Sequence, residues 1–447
     1  MRRKLLLTIP FVALSTSIAG SSALSNQSSY VASTSDAPSF SSFTKPKKDV
    51  DPERLYARVF NLIKEDFYEP KILASEDFDR WQHKYDGKLK TLEDAHLAIA
   101  TMISSIGDRY TRFLDLDAFA DEKSQIDAKL YGIGIQIGID KDHRVIVITP
   151  IDDTPASRAG LQAGDEIAEI DGKATKGFSV EDAAKSIRGK INTPVSLVLT
   201  RNKQKIKVTV TRAEIPIKAV QTAKMLDPQI GYIRLSSFIS QQANREMSEA
   251  LTKMSSAKGI ILDLRDNPGG LLTNAIDISN MFLETGTVVS TVDRDGYKMP
   301  TPVYGHPISK QPLVVLVNKG SASASEITSG ALKDNGRAIL VGQTTFGKGL
   351  VQGINKLEDG SGVNITIAKY LTPNDTDINK KGIGPDVKVE LTDKDLKEGR
   401  GPWWADPDAP NVKRTPEDMK DMQLKQAMDV LHHKIDDRNS VALNSHN

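Results

Sequence analysis

Cysteine is missing from all 447 residues. Its absence excludes disulfides, thiol nucleophiles, zinc–thiolate sites, iron–sulfur clusters and a lipidated N-terminal cysteine. An excess of charge is missing too, since 59 basic residues face 58 acidic ones. Neither a polybasic nucleic-acid binder nor a polyacidic tail is therefore the main theme, and no nucleic-acid partner is expected. No apolar run reaches the ~20 residues of a membrane-spanning helix. Neither His-Glu-x-x-His nor Gly-Lys-[Ser/Thr] occurs, which removes the usual signatures of zinc-peptidase and phosphate-loop chemistry. What remains, 39% hydrophobic and 26% charged, is ordinary globular composition with room for two to four domains.

The order of segments along the chain is informative. Arg2, Arg3 and Lys4 precede a mostly apolar stretch, Leu5 to Ala19, and then the small residues Ser21, Ser22 and Ala23. This is the pattern of a secretory signal peptide over residues 1–23, so the chain is expected to be exported, to a periplasmic or other extracytoplasmic space. An uncleaved anchor is the alternative, disfavoured by the shortness of the apolar run. Eight serines and almost no aliphatic residues lie between Leu24 and Phe43, so residues 24–49 read as a disordered tether.

Apolar residues at helical spacing predict helices over Glu53–Tyr68 and Thr91–Ile106, the second capped by Thr91 and stopped by Gly107. Residues 50–126 thus read as a small helical domain. The period then changes. Tyr131–Asp140, Arg144–Pro150, Glu166–Ile170, Pro194–Arg201 and Lys205–Arg212 are β-type runs, interrupted by one helix, Val180–Arg188, with a Ser179/Asp182 capping box. Residues 127–214 therefore form a compact β-rich module. From 215 to 398 the pattern is α/β. Ile230–Leu235, Gly259–Leu264, Leu313–Val317 and Ala338–Val341 are near-continuous apolar strands of the kind buried on both faces. Helices are expected at Leu271–Leu283 and Ser325–Asp334, and a longer alternating strand at Val363–Leu371. In the C-terminal extension, 399–447, Thr415, Pro416 and Asp418 open an amphipathic helix running to about Leu431. It would pack on its own core or on a second subunit.

Two places carry chemistry. In the β module, Gly132 and Gly134 flank Ile133 ahead of the strand that starts at Ile135. Glycine leaves backbone N–H groups uncovered there, so the loop could cradle an anion such as a terminal carboxylate. A peptide could add to the free edge of that strand, its last side chain near Ala183 and Ile187. The loop, the helix and the phrase Ala159-Gly-Leu161 … Gly164-Asp-Glu-Ile167 make this stretch resemble a PDZ domain of the bacterial protease-associated kind. A β-sandwich with glycines in tight turns is the plain alternative.

The second place is Asn318-Lys-Gly-Ser-Ala-Ser323-Ala-Ser-Glu-Ile327, where a buried strand gives way at once to a helix. That turn is one way to expose a serine nucleophile beside fresh N–H groups, although three serines could equally cap a helix. From these residues alone Ser321, Ser323 and Ser325 are equivalent. For a base, His306 is the one histidine in the α/β region near a strand end. Lys348, between Gly347 and Gly349 with Phe346, Leu350 and Val351 nearby, is the other candidate, provided that burial lowers its pKa. A solvated turn is the plain reading of Gly-Lys-Gly.

These phrases, with Asp263-Leu-Arg-Asp-Asn-Pro-Gly-Gly270, Ala331-Leu-Lys-Asp334, Lys381-Gly-Ile-Gly-Pro-Asp386 and the helical phrase Gly107-Asp-Arg-Tyr-Thr111, resemble the carboxyl-terminal processing (tail-specific) proteases, over about residues 50–395. In that family a Ser-Lys peptidase core carries an inserted PDZ domain. The resemblance implies an α/β multidomain fold with a helical N-terminal segment and a C-terminal helix. It also implies a spacing of 25 positions between nucleophile and base, which selects Ser323 with Lys348. Gln352 would orient the lysine, Gly269 or Gly270 with Ala324 would hold the oxyanion, and Asp334 would support the site. The implied activity is serine endopeptidase cleavage of proteins with apolar C-termini, without cofactor, ATP or metal. An adaptor protein and a homo-oligomer are implied as partners. The alternatives are a non-catalytic PDZ scaffold or peptide-binding chaperone, and a hydrolase pairing Ser323 with His306.

Overall fold

A computed structural model describes residues 30–32, 50–127, 129–140, 142–151, 153–216, 218–402 and 420–444. The expected leader and the first residues of the expected C-terminal helix, 415–419, lie outside the described residues, as does most of the tether. At the centre is a six-stranded sheet in the order 220–225, 230–235, 259–263, 313–317, 338–342, 387–388. All neighbours are parallel except the first pair. Along Leu313–Val317, Leu313, Val315 and Val317 face one apolar cluster, while Val314 and Leu316 face another on the opposite side. A strand covered on both faces has no polar side, which is why its sequence is an unbroken apolar run.

The first face is covered by helices Ala243–Lys253, Leu272–Asn280 and Ala324–Asp334. The other is covered by the chain's own C-terminal helix, Met422–Asn444, through Ala427, Leu431 and Ile435. Among the described residues the helix starts at Met422, where Asp421 accepts the N–H groups of Gln423 and Leu424 and caps it, and it runs beyond the Leu431 that its residues suggested. Gly259 permits the close approach: a Cβ there would stand 2.8 Å from Leu431.

A second, antiparallel sheet runs in the order 298–302, 287–293, 362–371, 350–356. The short strand Arg112–Leu114 joins it by pairing with Gly362–Asn364. Helices Pro52–Asp66 and Leu92–Ser104 pack together around Val59, Ile63, Ile99 and Met102. Their cluster is completed by Val363 and Ile365 of the second sheet and by Leu357 in the turn between its last two strands. The N-terminal helices therefore do not close a core of their own. Gly107, the expected stop of the second helix, opens the turn from helix to strand, with φ 73° and the Asp108 carboxylate accepting the N–H groups of Tyr110 and Thr111.

The β-rich module has its own apolar cluster and an antiparallel sheet in the order 30–32, 135–139, 145–150, 166–170, 194–201, 204–211. The expected single strand over Tyr131–Asp140 is broken at Gly134, whose φ of 78° only glycine adopts readily. Its first piece, Lys129–Gly132, pairs with Ala213–Pro216, so the chain enters and leaves the module as a two-stranded ribbon. Helix Val180–Ile187 starts with the expected Ser179/Asp182 box. Three residues of the expected tether, Tyr30–Ala32, form a strand on the free edge of Ile135–Ile139.

Arg265, 0% exposed, joins the C-terminal helix to the sheet by pairing with Asp263 on one side and Asp421 on the other. Removing one partner of a buried ion pair is strongly destabilising. Asp421→Ala should therefore cost about 3 kcal/mol, read as a lowered urea midpoint. A midpoint equal to that of the parent would show that the clamp contributes nothing.

Candidate active site

Two loops leave the carboxyl ends of adjacent parallel strands, the usual location for a site in an α/β sheet. One is 264–271, after Gly259–Asp263, and the other is 318–323, after Leu313–Val317. They are cross-braced. The Asn318 side chain accepts the Asp266 N–H and donates to its carboxylate, and the Asn267 carbonyl accepts both the Ala322 N–H and the Ser325 hydroxyl. Ser321 is used up as well, its hydroxyl donating to the Leu264 carbonyl at 2.8 Å. Of the three serines, Ser321 and Ser325 thus serve the framework.

Ser323 stands at the junction of loop and helix with φ 54° and ψ −112°. A non-glycine residue held there costs on the order of 1–3 kcal/mol, and such strain clusters at functional sites. Gly269 packs directly against it, since a Cβ on Gly269 would lie 2.6 Å from the Ala322 carbonyl oxygen and 2.8 Å from the Ala324 nitrogen. The N–H of Gly269 is already given to the Asn267 side chain at 2.9 Å. This removes Gly269 from the pair of oxyanion candidates and leaves it the role of close approach. The N–H groups of Gly270 and Ala324 have no partner among the described residues.

Lys348 lies in the tight Gly-Lys-Gly turn before strand Leu350–Lys356. The flanking glycines matter here, because a Cβ on Gly347 would meet the Lys381 nitrogen at 2.8 Å and one on Gly349 the Asn379 nitrogen at 2.9 Å. The turn is buried against 379–382 and is not a solvated one; Lys348 is 4% exposed and Ser323 7%. Burial lowers the Lys348 pKa to about 8, helped by the Arg112 and Arg109 guanidinium groups and opposed by Asp108 and Glu122. Its amine sits 4.8 Å from the centre of the Tyr110 ring.

One carboxylate ties the two residues together. Glu326 accepts the N–H groups of Ser323 at 2.8 Å, Gly347 at 2.7 Å and Lys348 at 2.9 Å, and the Thr345 hydroxyl at 2.5 Å. Burial pushes its pKa up, while these hydrogen bonds favour the charged form. Tyr370, on the long strand Gly362–Leu371, adds a second tie, its hydroxyl donating to the carbonyls of both Ser323 and Lys348. Among the described residues no hydrogen bond joins the Lys348 amine to the Ser323 hydroxyl. Catalytic hydrogen bonds often tighten only with substrate in place.

Gln352 is buried, not at a wet strand edge, and its side-chain nitrogen has no hydrogen-bond partner among the described residues. Asp334 accepts the Thr372 hydroxyl and the Asn374 N–H, holding the end of helix 324–334 to the strand that carries Tyr370. His306 is exposed, in a loop whose field reaches Glu284. Asp108, Tyr110, Arg112, Glu122, Glu326 and Tyr370 carry no role in the sequence reading. Only Glu326 had a local signal there, the Ser-x-x-Glu spacing of a capping box. In the β module Ile133, Ile135, Ala183 and Ile187 are fully buried in its apolar cluster. The N–H groups of Ile133 and Gly134 have no partner among the described residues. Gly132 ends the ribbon strand beside them.

A buried amine of lowered pKa, a hydroxyl on a strained turn and two unpaired N–H groups are the parts needed for acyl transfer. Comparison with known proteins points to peptidases. The sequence profile of Peptidase family S41 matches residues 229–389, and that of the PDZ domain residues 123–200. The carboxyl-terminal-processing protease of Picosynechococcus sp. is 42% identical over 308 residues, 67% of this chain and 74% of that one. The carboxy-terminal processing protease CtpA of Bacillus subtilis is 40% identical over 318 residues, 70% of this chain and 68% of its own. Among solved structures, the photosystem II D1 C-terminal processing protease superimposes with a TM-score of 0.51 at 32% identity, covering 76% of this chain and 93% of that one. This chain belongs to the S41 peptidases, in the family of PDZ-containing carboxyl-terminal-processing proteases.

Proposed function

We propose that the chain is a serine endopeptidase acting through Ser323 and Lys348 on proteins whose apolar C-terminal tails dock on the PDZ domain. The observation that carries this reading is the burial of Lys348 on the same carboxylate that holds Ser323. At pH 7 an amine of pKa about 8 is neutral in roughly one molecule in ten, against about one in three thousand at the ordinary value.

The neutral amine takes the proton of the Ser323 hydroxyl as the oxygen attacks the scissile carbonyl. The developing oxyanion is met by the N–H groups of Gly270 and Ala324, and the Lys348 ammonium returns its proton to the leaving amine. Water then releases the acyl group by the same route in reverse. The unpaired Gln352 nitrogen is a donor for the amine lone pair or the substrate backbone, and Tyr110 shields the amine from water. The tail reading is supported by the N–H groups of Ile133 and Gly134, which have no partner among the described residues and suit a terminal carboxylate, and by the relatives' names as carboxyl-terminal-processing proteases. Export is part of the same reading and is supported by the charged-then-apolar order of residues 1–23. An adaptor and self-association complete it, supported by family resemblance.

Ser323→Ala and Lys348→Met should each lower the hydrolysis of a protein with an apolar tail by on the order of 10⁴-fold or more. Lys348→Met should also unfold at no lower urea concentration than the parent, because it no longer buries an amine. Substantial activity in either variant rejects the pair. Because the active form is the unprotonated amine, kcat/KM should rise about tenfold per pH unit below about 8 and level off above it. An inflection near 6.5, lost in His306→Ala, would assign the base to histidine instead. N-terminal sequencing of the exported chain should read from near Leu24; an intact Met1 on a cytoplasmic chain would overturn export.

A further inference from the structure

Strand Ile135–Ile139 is paired on one side by Val145–Pro150. Its other side would present a bare row of N–H and C=O groups, the kind of edge that recruits an additional strand. Tyr30–Ala32 lies along this side, antiparallel, with Tyr30 opposite Ile137, Val31 opposite Gln136 and Ala32 opposite Ile135. The same three residues contact helix Val180–Ile187. They therefore lie in the groove between the strand and the helix, where an added peptide strand would go. Tyr and Val are good strand formers, set here among serines that are not.

The register also gives a direction. The segment runs with its carboxyl side toward Ile135, that is, toward the loop where the N–H groups of Ile133 and Gly134 have no partner among the described residues. Ala32 is thus in the position that the last residue of a docked tail would take. Ala32 is followed by Ser33 and so brings a peptide bond, not a carboxylate, to that loop. It pairs with the strand edge but brings no carboxylate of its own.

We infer that Tyr30–Ala32 is an intramolecular ligand of the PDZ groove, which a substrate tail must displace. A covalently attached segment competes at an effective concentration on the order of millimolar where its linker spans the sites, and residues 33–49 link it to Val50 at the first helix. The free carboxylate is the one feature the incoming tail has and the resident segment lacks. The segment thereby raises the threshold for internal or weakly matching peptides while giving way to true C-termini. The competition rests on the tail docking proposed above; the occupancy of the groove does not.

Amide hydrogen exchange separates the two. It is measured on the chain from residue 24, carrying Ser323→Ala to prevent self-cleavage, with and without Val31→Pro/Ala32→Pro. Successive N–H groups of a strand point to opposite sides, so one of the two prolines must remove a donor facing Ile135–Ile139. The double variant should exchange the amides of 135–139 at least about tenfold faster. It should also bind a fluorescent decapeptide ending in Val-Ala with a free carboxylate at least about fivefold tighter. A chain beginning at residue 44 should match it, and an unchanged urea midpoint confirms that the variants fold. Unchanged exchange at 135–139 in both variants overturns the inference. Faster exchange with equal peptide affinity in all chains overturns the competition. Faster exchange with no peptide binding to any chain leaves the intramolecular ligand standing and rejects the tail docking instead.

Discussion

Everything at this site depends on one buried carboxylate. Glu326 collects hydrogen bonds from the backbone of Ser323, from the backbone of Lys348 and from Gly347 and Thr345 just before that lysine. A charge that far from water is tolerated only when its oxygens are saturated with donors. The four donors come from the start of one helix and from one loop some twenty residues later, so saturation can occur only when those segments are correctly placed. The cost of burying the charge thus becomes a constraint on geometry. The strained backbone of Ser323 persists for the same reason: its N–H and its carbonyl are both held, by Glu326 and Tyr370.

The amine is governed by the opposite rule. The Lys348 amine finds no hydrogen bond among the described residues to saturate its charge, so burial favours the neutral form. The residues that keep it dry come from a distant part of the chain, the turn and short strand at 108–114. That turn is fastened to the long strand by hydrogen bonds from the Thr366 hydroxyl to Asp108 and from the Thr366 N–H to Thr111. The segment that follows the N-terminal helices is therefore part of the site's wall, and those helices pack against the sheet it is fastened to. A peptidase core cut free of residues 50–126 would expose the amine and restore its ordinary pKa.

The PDZ module is attached differently. It keeps its own apolar cluster, meets the rest through the ribbon at 129–132 and 213–216, and adds an ion pair from Arg188 to Asp121 on the helix preceding that ribbon. With an apolar cluster of its own, the module has the form of a domain inserted into another.

Sequence alone determined the elements whose cause is local. The capping boxes at Thr91 and Ser179, the apolar central strands, the β-rich module and the family motifs are all visible in neighbouring residues, because each rests on interactions within a few positions. Choosing Ser323 over Ser321 and Ser325 needed the family's spacing, and the structure adds the reason the other two are occupied. What neighbours in sequence could not show is what meets across the fold. Asp108, Tyr110, Arg112 and Glu122 lie more than 200 positions before the lysine whose charge they influence. The N–H of Gly269 is spent on Asn267, and a serine-rich stretch that lacks a core of its own finds a strand edge to pair with. Helical and β periodicity report which side of an element is buried, but not which distant residue covers it, and it is that covering that sets the pKa of Lys348.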